Sequence, residues 1–542
     1  MKKRGIIALA LVLACTLCAC AGAVPPSAET AAEPEEAEEM RETAEGPAEP
    51  IEITVWVPEA IVTVTRRQIE DFNAINAEGI VIDAAIEAVE ESAAAKRLLT
   101  REGDGADLFC FGQQWLVPLA QAGLLESLDG AEGERVRAAS DPDAAAAASL
   151  GDRLYAYPLT ADEGYFLYYD RSVIPEEDLG SLEKLLEDCR AAGKRFAMET
   201  LSNGRYLASW FLGAGCISQW ECDSEGAYLA VRDTFNSPAG LLAARGMKTL
   251  LDDRCFLNSS DPACFEQGCA ALVSDREAYA AAARILGEDL GTAALPDYEV
   301  DGKRCPMGSF CGFRLLGVRA REDAESAAAL HSLAQYLSDE LGQLERFYEA
   351  SWGPSNLAAL SEEGVGSHPA VAGAMAQKAR ATAQGRIHRS WWDASAALGA
   401  EIQRAWDEPH LQEALEHYEE ALSEALVRER DAMLFVGDWN GWDRLEDSEA
   451  FYLADNGDGT ASVTLEVPEK GMGGCLVRPG EAGTDRGYAQ VTEGAALLRK
   501  PGTRNTDNRI VFREAGVYTV TLVRETGEIR IAASGDAPGQ GA

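Results

Sequence analysis

From Ile51 to about residue 430, strand-like and helix-like patterns alternate; after Arg430 the helical patterns stop. That break constrains the fold more than any other feature of the chain. IEITVWVP opens the ordered region, with Ile51, Ile53 and Val55 alternating with polar residues as in a strand. A helical stretch follows with Ile69, Phe72 and Ile75 on one face, and GIVIDAAIEAV reads as a second strand. Continued alternation predicts an α/β architecture over 51–430. Its last helix is EPHLQEALEHYEEALSEALVRER. Leu411, Leu415, Tyr418, Leu422 and Leu426 line one face there, and Arg428 and Arg430 suit the negative end of the helix dipole. Beyond it, LFVGDWNGW, FYLADNGDGTASVTLEV and GVYTVTLVRETGEIRI are β-rich and punctuated by turn signals such as NGDG and ETGE. They predict a separate β-sandwich of immunoglobulin-like size over 431–534, with 535–542 as a tail. A chain of 542 residues is too long for one ordinary core, so two or three domains are expected.

Residues 1–20 read as a targeting signal. Lys2, Lys3 and Arg4 form a positive start, and GIIALALVLA is an apolar run too short to span a bilayer. LCAC, Leu17 to Cys20, resembles a bacterial lipobox, in which Cys20 is lipidated and becomes the mature N-terminus. VLAC, ending at Cys15, is a competing box. Residues 21–50 are mostly Ala, Glu and Pro with almost nothing to bury, so they predict a disordered, self-repelling tether. The expected place of the protein is the extracellular face of the cell membrane, held by lipid.

A formal net charge of −42 repels nucleic acid and disfavours an anionic substrate; a neutral ligand such as a sugar fits best. Three of the thirteen cysteines belong to the leader. Cys216/Cys222, Cys255/Cys264/Cys269 and Cys305/Cys311 are close enough in sequence to bridge outside the cell, whereas Cys110, Cys189 and Cys475 are expected as free, buried thiols. Beyond the leader, no CxxC and no Cys/His spacing points to zinc, so neither metal nor cofactor is expected.

Hydrolytic and nucleotide-binding motifs are missing: there is no GxSxG, P-loop or HExxH. DNGDGTASVTLE places Asp455 and Glu466 at the ends of an EF-hand-like spacing, but Gly457, Gly459 and Thr460 break the pattern, which predicts a hairpin turn. His410 and His417 share a helix face and are expected to be solvated. Carboxylates are too many for sequence to single out a glycosidase pair. The chain is not expected to be an enzyme.

GDGADLFCFGQQWLVPLAQAGLLESLD (103–129), followed by DRLYAYPLTADEGYFLYYDRSVIP (152–175), resembles the maltose-type extracellular solute-binding proteins of ABC importers. The family pattern there is GDGPD, an aromatic, a QSGLL-like turn, and an AYP strand leading to YN(K/R)D. ACFEQGCAALVSDREAY, LPDYEVDGKRCPMGSFCGFRLLGV and IHRSWWDASAAL resemble its later segments, in the same order, over about 51–427. The resemblance implies a two-lobe periplasmic-binding-protein-like fold whose lobes close by a hinge around a ligand in the cleft. Sugar rings bury their C–H faces on flat aromatics and offer hydroxyls to polar side chains. The resemblance places Phe111 at an aromatic stacking position, Gln114 beside it, and Trp115 where maltose binders often carry Arg. Glu59 falls after the first strand, Asp162 and Glu163 after the AYP strand, and Tyr206 at a second aromatic position. Tyr279 or Glu277 stands where a Trp is frequent. Trp391 and Trp392 fall at the late aromatic position, with Trp391 assigned the larger stacking surface.

LFVGDWNGWD resembles the GxFNxW opening of starch- and glycogen-binding carbohydrate modules. That implies that Trp442 stacks on an α-glucan and that Trp439 lies beside it; Tyr488 could replace a second binding aromatic. Together these readings predict a lipid-anchored binding protein of an ABC sugar importer. It would take up maltodextrins and starch-derived oligosaccharides by cleft closure and deliver them to permease subunits. A glycoside hydrolase with a binding module and a starch-tethering surface adhesin are the alternatives.

Overall fold

The strand Ile51–Val57 is buried along its apolar face, and each of its seven residues pairs in parallel with Ile82–Ala88. In the computed structural model, which describes residues 50–100, 105–161, 163–202, 204–222, 228–321, 323–388, 390–442, 449–478, 486–500 and 508–534, this pair seeds a five-stranded sheet. The spatial order is Ile82–Ala88, Ile51–Val57, Leu108–Gly112, Arg314–Val318, Tyr157–Pro158. The first three strands are parallel, and Arg314–Val318 returns antiparallel to Leu108–Gly112. Helix Val62–Ile75 connects the first two strands. Ile69 and Phe72 enter the core, but Ile75, expected on the same face, is 65% exposed because it is the helix's last residue. Leu108–Gly112 is buried throughout, as a central strand covered on both faces must be.

The chain leaves this lobe after Pro158 and enters a seven-stranded mixed sheet. Its order is Phe256–Leu257, Arg195–Ala197, Cys269–Asp275, Glu163–Asp170, Ser309–Gly312, Ala381–Ala383, with Leu290–Ala293 also on Glu163–Asp170. Each lobe has its own apolar core: one gathers Val55, Phe109, Phe111 and Leu315, the other Phe196, Trp210, Phe235 and Trp391. Gly312 still pairs in the second sheet with Glu163, while Arg314, two residues on, pairs in the first with Gly112. One residue, Phe313, therefore separates the lobes at this crossing. The helix expected at the end of this region spans Glu408–Asp431, with Leu411, Leu415, Tyr418 and Leu422 buried and Leu426 partly so.

Beyond it lie two small sheets. One runs Leu434–Gly437, Gly473–Val477, Ile510–Val511; the other runs Ala454–Asp455, Thr460–Val467, Gly516–Val523, Ile529–Ser534, Val491–Glu493. Phe435, Leu476 and Ile510 from the first share a core with Val463, Leu465, Val520 and Ile531 from the second. The DNGDG segment is a hairpin turn, as expected: the Asn456 amide donates to the Thr460 carbonyl, and Asp455 accepts from the Gly457 amide.

The bridges considered for Cys255/Cys264/Cys269 and Cys305/Cys311 are not formed, and Cys216 is likewise a free thiol. Most of these sulfurs fill apolar core instead: burial pushes the thiols of Cys189 and Cys255 up to about 12, which leaves them protonated and unreactive. The leader with Cys15 and Cys20, the tether and the tail lie outside the described residues, as does Asp162.

Candidate functional site

In open α/β sheets, ligands lie outside the carboxyl ends of the strands, where the next turn offers free backbone and polar side chains. Three turns of the first lobe hold that position. Glu59 follows Ile51–Val57 and is exposed; Glu91 opens the helix after Ile82–Ala88; Gln113–Trp115 follows Leu108–Gly112. The second lobe brings Arg276 and Glu277, directly after Cys269–Asp275, and Arg205 and Tyr206 at the start of helix Gly204–Gly213.

Arg314 is the hub. It is the first residue after the crossing, and its side chain is 13% exposed. Its Nε lies 2.7 Å from Glu91 Oε1, its guanidinium lies 4.7 Å from the centroid of the Trp352 ring, and one terminal nitrogen is 3.8 Å from Glu277 of the other lobe. Trp352 is buried under it. Arg276 donates to the Ser351 carbonyl from the opposite lobe. Gln113 is buried and donates through Nε2 to the Cys311 carbonyl at 3.1 Å; a Cβ on Gly385 would stand 3.1 Å from its Cγ, so glycine there lets the turn 384–386 close over it. Arg205 reaches Gln384 Oε1 at 3.2 Å and lies 5.7 Å from the Tyr165 ring.

Tyr206 is buried, edge-on to Tyr165 at 4.9 Å, with its hydroxyl 3.5 Å from Asp275 Oδ2. Burial, then the Asp275 carboxylate, pushes the phenol up to about 12. Asp275 is itself raised, first by burial and then by Glu277. Burial would raise Glu277 too, but its own backbone amide and then Arg276 and Arg314 hold it below the usual carboxylate range. The cleft thus sets Arg205, Arg276 and Arg314 against Glu91, Asp275 and Glu277. Three cations facing three carboxylates leave hydrogen-bonding capacity without a strong net field, which suits a neutral polar ligand.

Several expected residues sit elsewhere. Phe111 is fully buried in the first lobe's core, 5.5 Å from Phe109, because its strand is covered on both faces. Trp391 is also fully buried, wedged edge-on among Phe235, Phe310 and Trp392 at 5.9, 5.7 and 4.9 Å. Neither ring has a face to offer, so both assignments to ligand stacking are corrected to core packing. Trp392 is half-buried and packs on Phe310 at 5.4 Å, leaving it the aromatic of this pair with open surface. Tyr279 turns to His368, 4.5 Å away, so of the two alternatives it is Glu277 that meets Arg314. Gln114 is exposed; Trp115 is half-buried against the first lobe's core. Glu163 pairs through its backbone with Gly312.

Arg314, Glu91 and Trp352 were not singled out from sequence. The signal was available: in CGFRLLGV an arginine opens an otherwise apolar central strand, and a charge there requires partners.

In the C-terminal module, Trp439 is half-buried against the module's core; it packs on Phe435 and Phe512 at 5.6 and 6.0 Å and donates through Nε1 to the Glu466 carbonyl at 2.6 Å. Trp442 is half-buried and takes a left-handed φ of 66°. Its backbone amide donates to the Gly437 carbonyl, its Nε1 donates to Asp438 Oδ1 at 3.1 Å, and Arg509 covers its ring at 4.1 Å. Tyr488 is partly buried against the module's core. Among the described residues, no group of three or more His, Cys, Asp or Glu is placed to hold a metal ion, and no helix is long and apolar enough to cross a membrane.

Two α/β lobes joined by crossing strands, with polar groups of both meeting at Arg314, define a two-lobe architecture. The chain belongs to the bacterial extracellular solute-binding protein family, whose pattern it matches over residues 68–373. Among solved structures, it is similar to a maltodextrin-binding protein of L. casei solved without ligand, with a TM-score of 0.60 at 19% identity, covering 69% of this chain and 99% of that one. It is similar also to a cyclo/maltodextrin-binding protein complexed with maltotetraose (TM-score 0.59, 19% identity, 71% and 98% covered). A Thermus thermophilus maltotriose-binding protein bound with maltotriose gives a TM-score of 0.53 at 18% identity, with 69% and 100% covered. No curated protein sequence matches the chain.

Proposed function

We propose that this protein is the substrate-binding component of an ABC sugar importer and that it captures maltodextrins in the cleft between its lobes. The observation that carries the reading is the charge-balanced ring around Arg314, where Glu91 from one lobe and Glu277 from the other flank one guanidinium. A neutral, hydroxyl-rich chain can exchange hydrogen bonds with each of these groups without leaving a buried charge unpaired. The three similar structures, whose own names speak of maltodextrin, maltotetraose and maltotriose, favour an α-glucan over other neutral glycans. Trp392 supplies the stacking face, and Glu59 and Gln114 supply rim contacts. Cys20 carries the lipid, residues 21–50 are the tether, and the permease subunits recognise the closed lobes.

The module over 431–534 is proposed as a polymer-gripping domain that uses Trp442, held in place by Asp438. Two glycan sites on one chain raise the effective concentration of fragments near the cleft. Thermal shift against maltotriose, maltoheptaose, cellopentaose and xylotriose tests the assignment, because a ligand of the native state alone raises its melting temperature. The α-glucans should raise it and the others should not. Shorter products from maltoheptaose would instead assign the protein to the hydrolases.

A further inference from the structure

Trp406 is the most exposed large apolar side chain among the described residues, at 75%. It stands in the turn between helices Leu398–Arg404 and Glu408–Asp431, with Ala405 before it and Leu411 after it both buried. The turn is therefore anchored on either side while the indole points outward. His410 lies against the ring, and Asp407 accepts from the His410 backbone amide at 3.2 Å and pairs with its Nδ1. Here His410 parts from His417, which instead meets Glu401 at 3.1 Å.

Trp406 forms one wall of an open groove of about 520 Å³, within the range of small-molecule sites, roughly 300–1,000 Å³. Its remaining walls mix charged side chains with Ala405 and Leu411. Arg245 reaches in from helix Pro238–Leu251, paired with Asp301 at 2.7 Å and Glu408 at 3.1 Å. Lys248, one turn on, pairs with Asp252. Gln403, Arg404 and Asp407 add further polar lining. Three cations and three carboxylates thus face the groove, in a chain whose formal charge is −42. The Nε of Arg245 is buried without an acceptor among the described residues. An open aromatic face beside balanced charges fits neither an anion nor an apolar chain. It fits the C–H face of a pyranose with hydroxyls at its edge.

We propose that this groove is a second glycan site, outside the cleft, that holds one or two sugar units of a neutral oligosaccharide. The ligand class comes from the groove's own chemistry, so the inference does not rest on the cleft reading. Most of the contact is one ring, so binding is weak and exchanges fast.

The test labels the full chain with 5-fluorotryptophan, assigns the Trp406 resonance among the ten tryptophans by its loss in Trp406→Phe, and titrates maltoheptaose and cellopentaose separately. The Trp406 resonance should shift with at least one of them, saturate at a higher concentration than any cleft resonance, and lose at least half of its shift in Lys248→Ala. Trp406→Ala should leave the cleft resonances responding as before. If other tryptophans respond while Trp406 stays still with both sugars, the inference is overturned. It is also overturned if Trp406→Ala impairs uptake in cells and Trp406 is silent to sugar, which would make the surface a protein contact. If cellopentaose shifts Trp406 and maltoheptaose shifts nothing, the groove stands and the maltodextrin cleft falls.

Discussion

Arg314 and Glu277 lie 3.8 Å apart although they belong to different lobes, one on the returning strand Arg314–Val318 and the other just past Cys269–Asp275. The pair links the two lobes beside their crossing. Glu277 is 58% exposed, so the pair itself adds little to folding, up to about 1 kcal/mol. Glu277→Gln should therefore unfold in urea within about 1 kcal/mol of the parent and weaken maltotriose binding by about tenfold in calorimetry. Equal affinities would remove Glu277 from the site. Arg314→Met should do more harm, because Glu91 and Trp352 both lose their partner.

Trp391 and Trp392 are neighbours in sequence with opposite expected phenotypes. Trp391 is fully buried, so Trp391→Ala should cost about 3–5 kcal/mol of stability by urea denaturation. Trp392→Ala should keep most of the fold and lose affinity for maltotriose. A stable Trp391→Ala protein with weakened binding would reverse the assignment.

Sequence made the architecture legible and misplaced part of the site, for one physical reason. Periodicity reports which face of an element is apolar, so the strand Ile51–Val57, the terminal helix and the DNGDG hairpin could all be read directly. It does not report whether an aromatic at an element's end turns inward or out. Phe111 and Trp391 looked like stacking residues and are core. Arg314 escaped notice because its partners, Glu91 and Glu277, are brought to it only by the crossing of the lobes.

The raised Asp275 carboxyl gives a pH signature. A carboxylic acid held above its usual range binds its proton more tightly when folded, so its ionisation opposes folding. Its favourable contribution is complete below the unfolded value, about 3.9, and is lost as pH rises through the folded value. The melting temperature of Asp275→Asn, relative to the parent, should therefore climb as pH rises from below that point and then level off. A difference independent of pH would show that Asp275 is not perturbed.

For the C-terminal module, Trp442→Ala in the full chain should remove most retention on granular starch and leave maltotriose affinity within a factor of about two, a change of about 0.4 kcal/mol. Arg509→Ala uncovers the same ring and should retain starch at least as well. Starch retention that survives Trp442→Ala would assign the module another task.

The central claim is that a maltodextrin closes the two lobes on each other. Small-angle scattering of the full chain, with and without saturating maltotriose, measures this most directly, with Glu277→Gln and Trp392→Ala as controls. The account expects a smaller radius of gyration on adding maltotriose to the parent, with higher sugar concentrations needed for the same change in either variant. A parent protein whose scattering is unchanged by maltotriose and maltoheptaose, at concentrations where calorimetry also shows no heat, would contradict it.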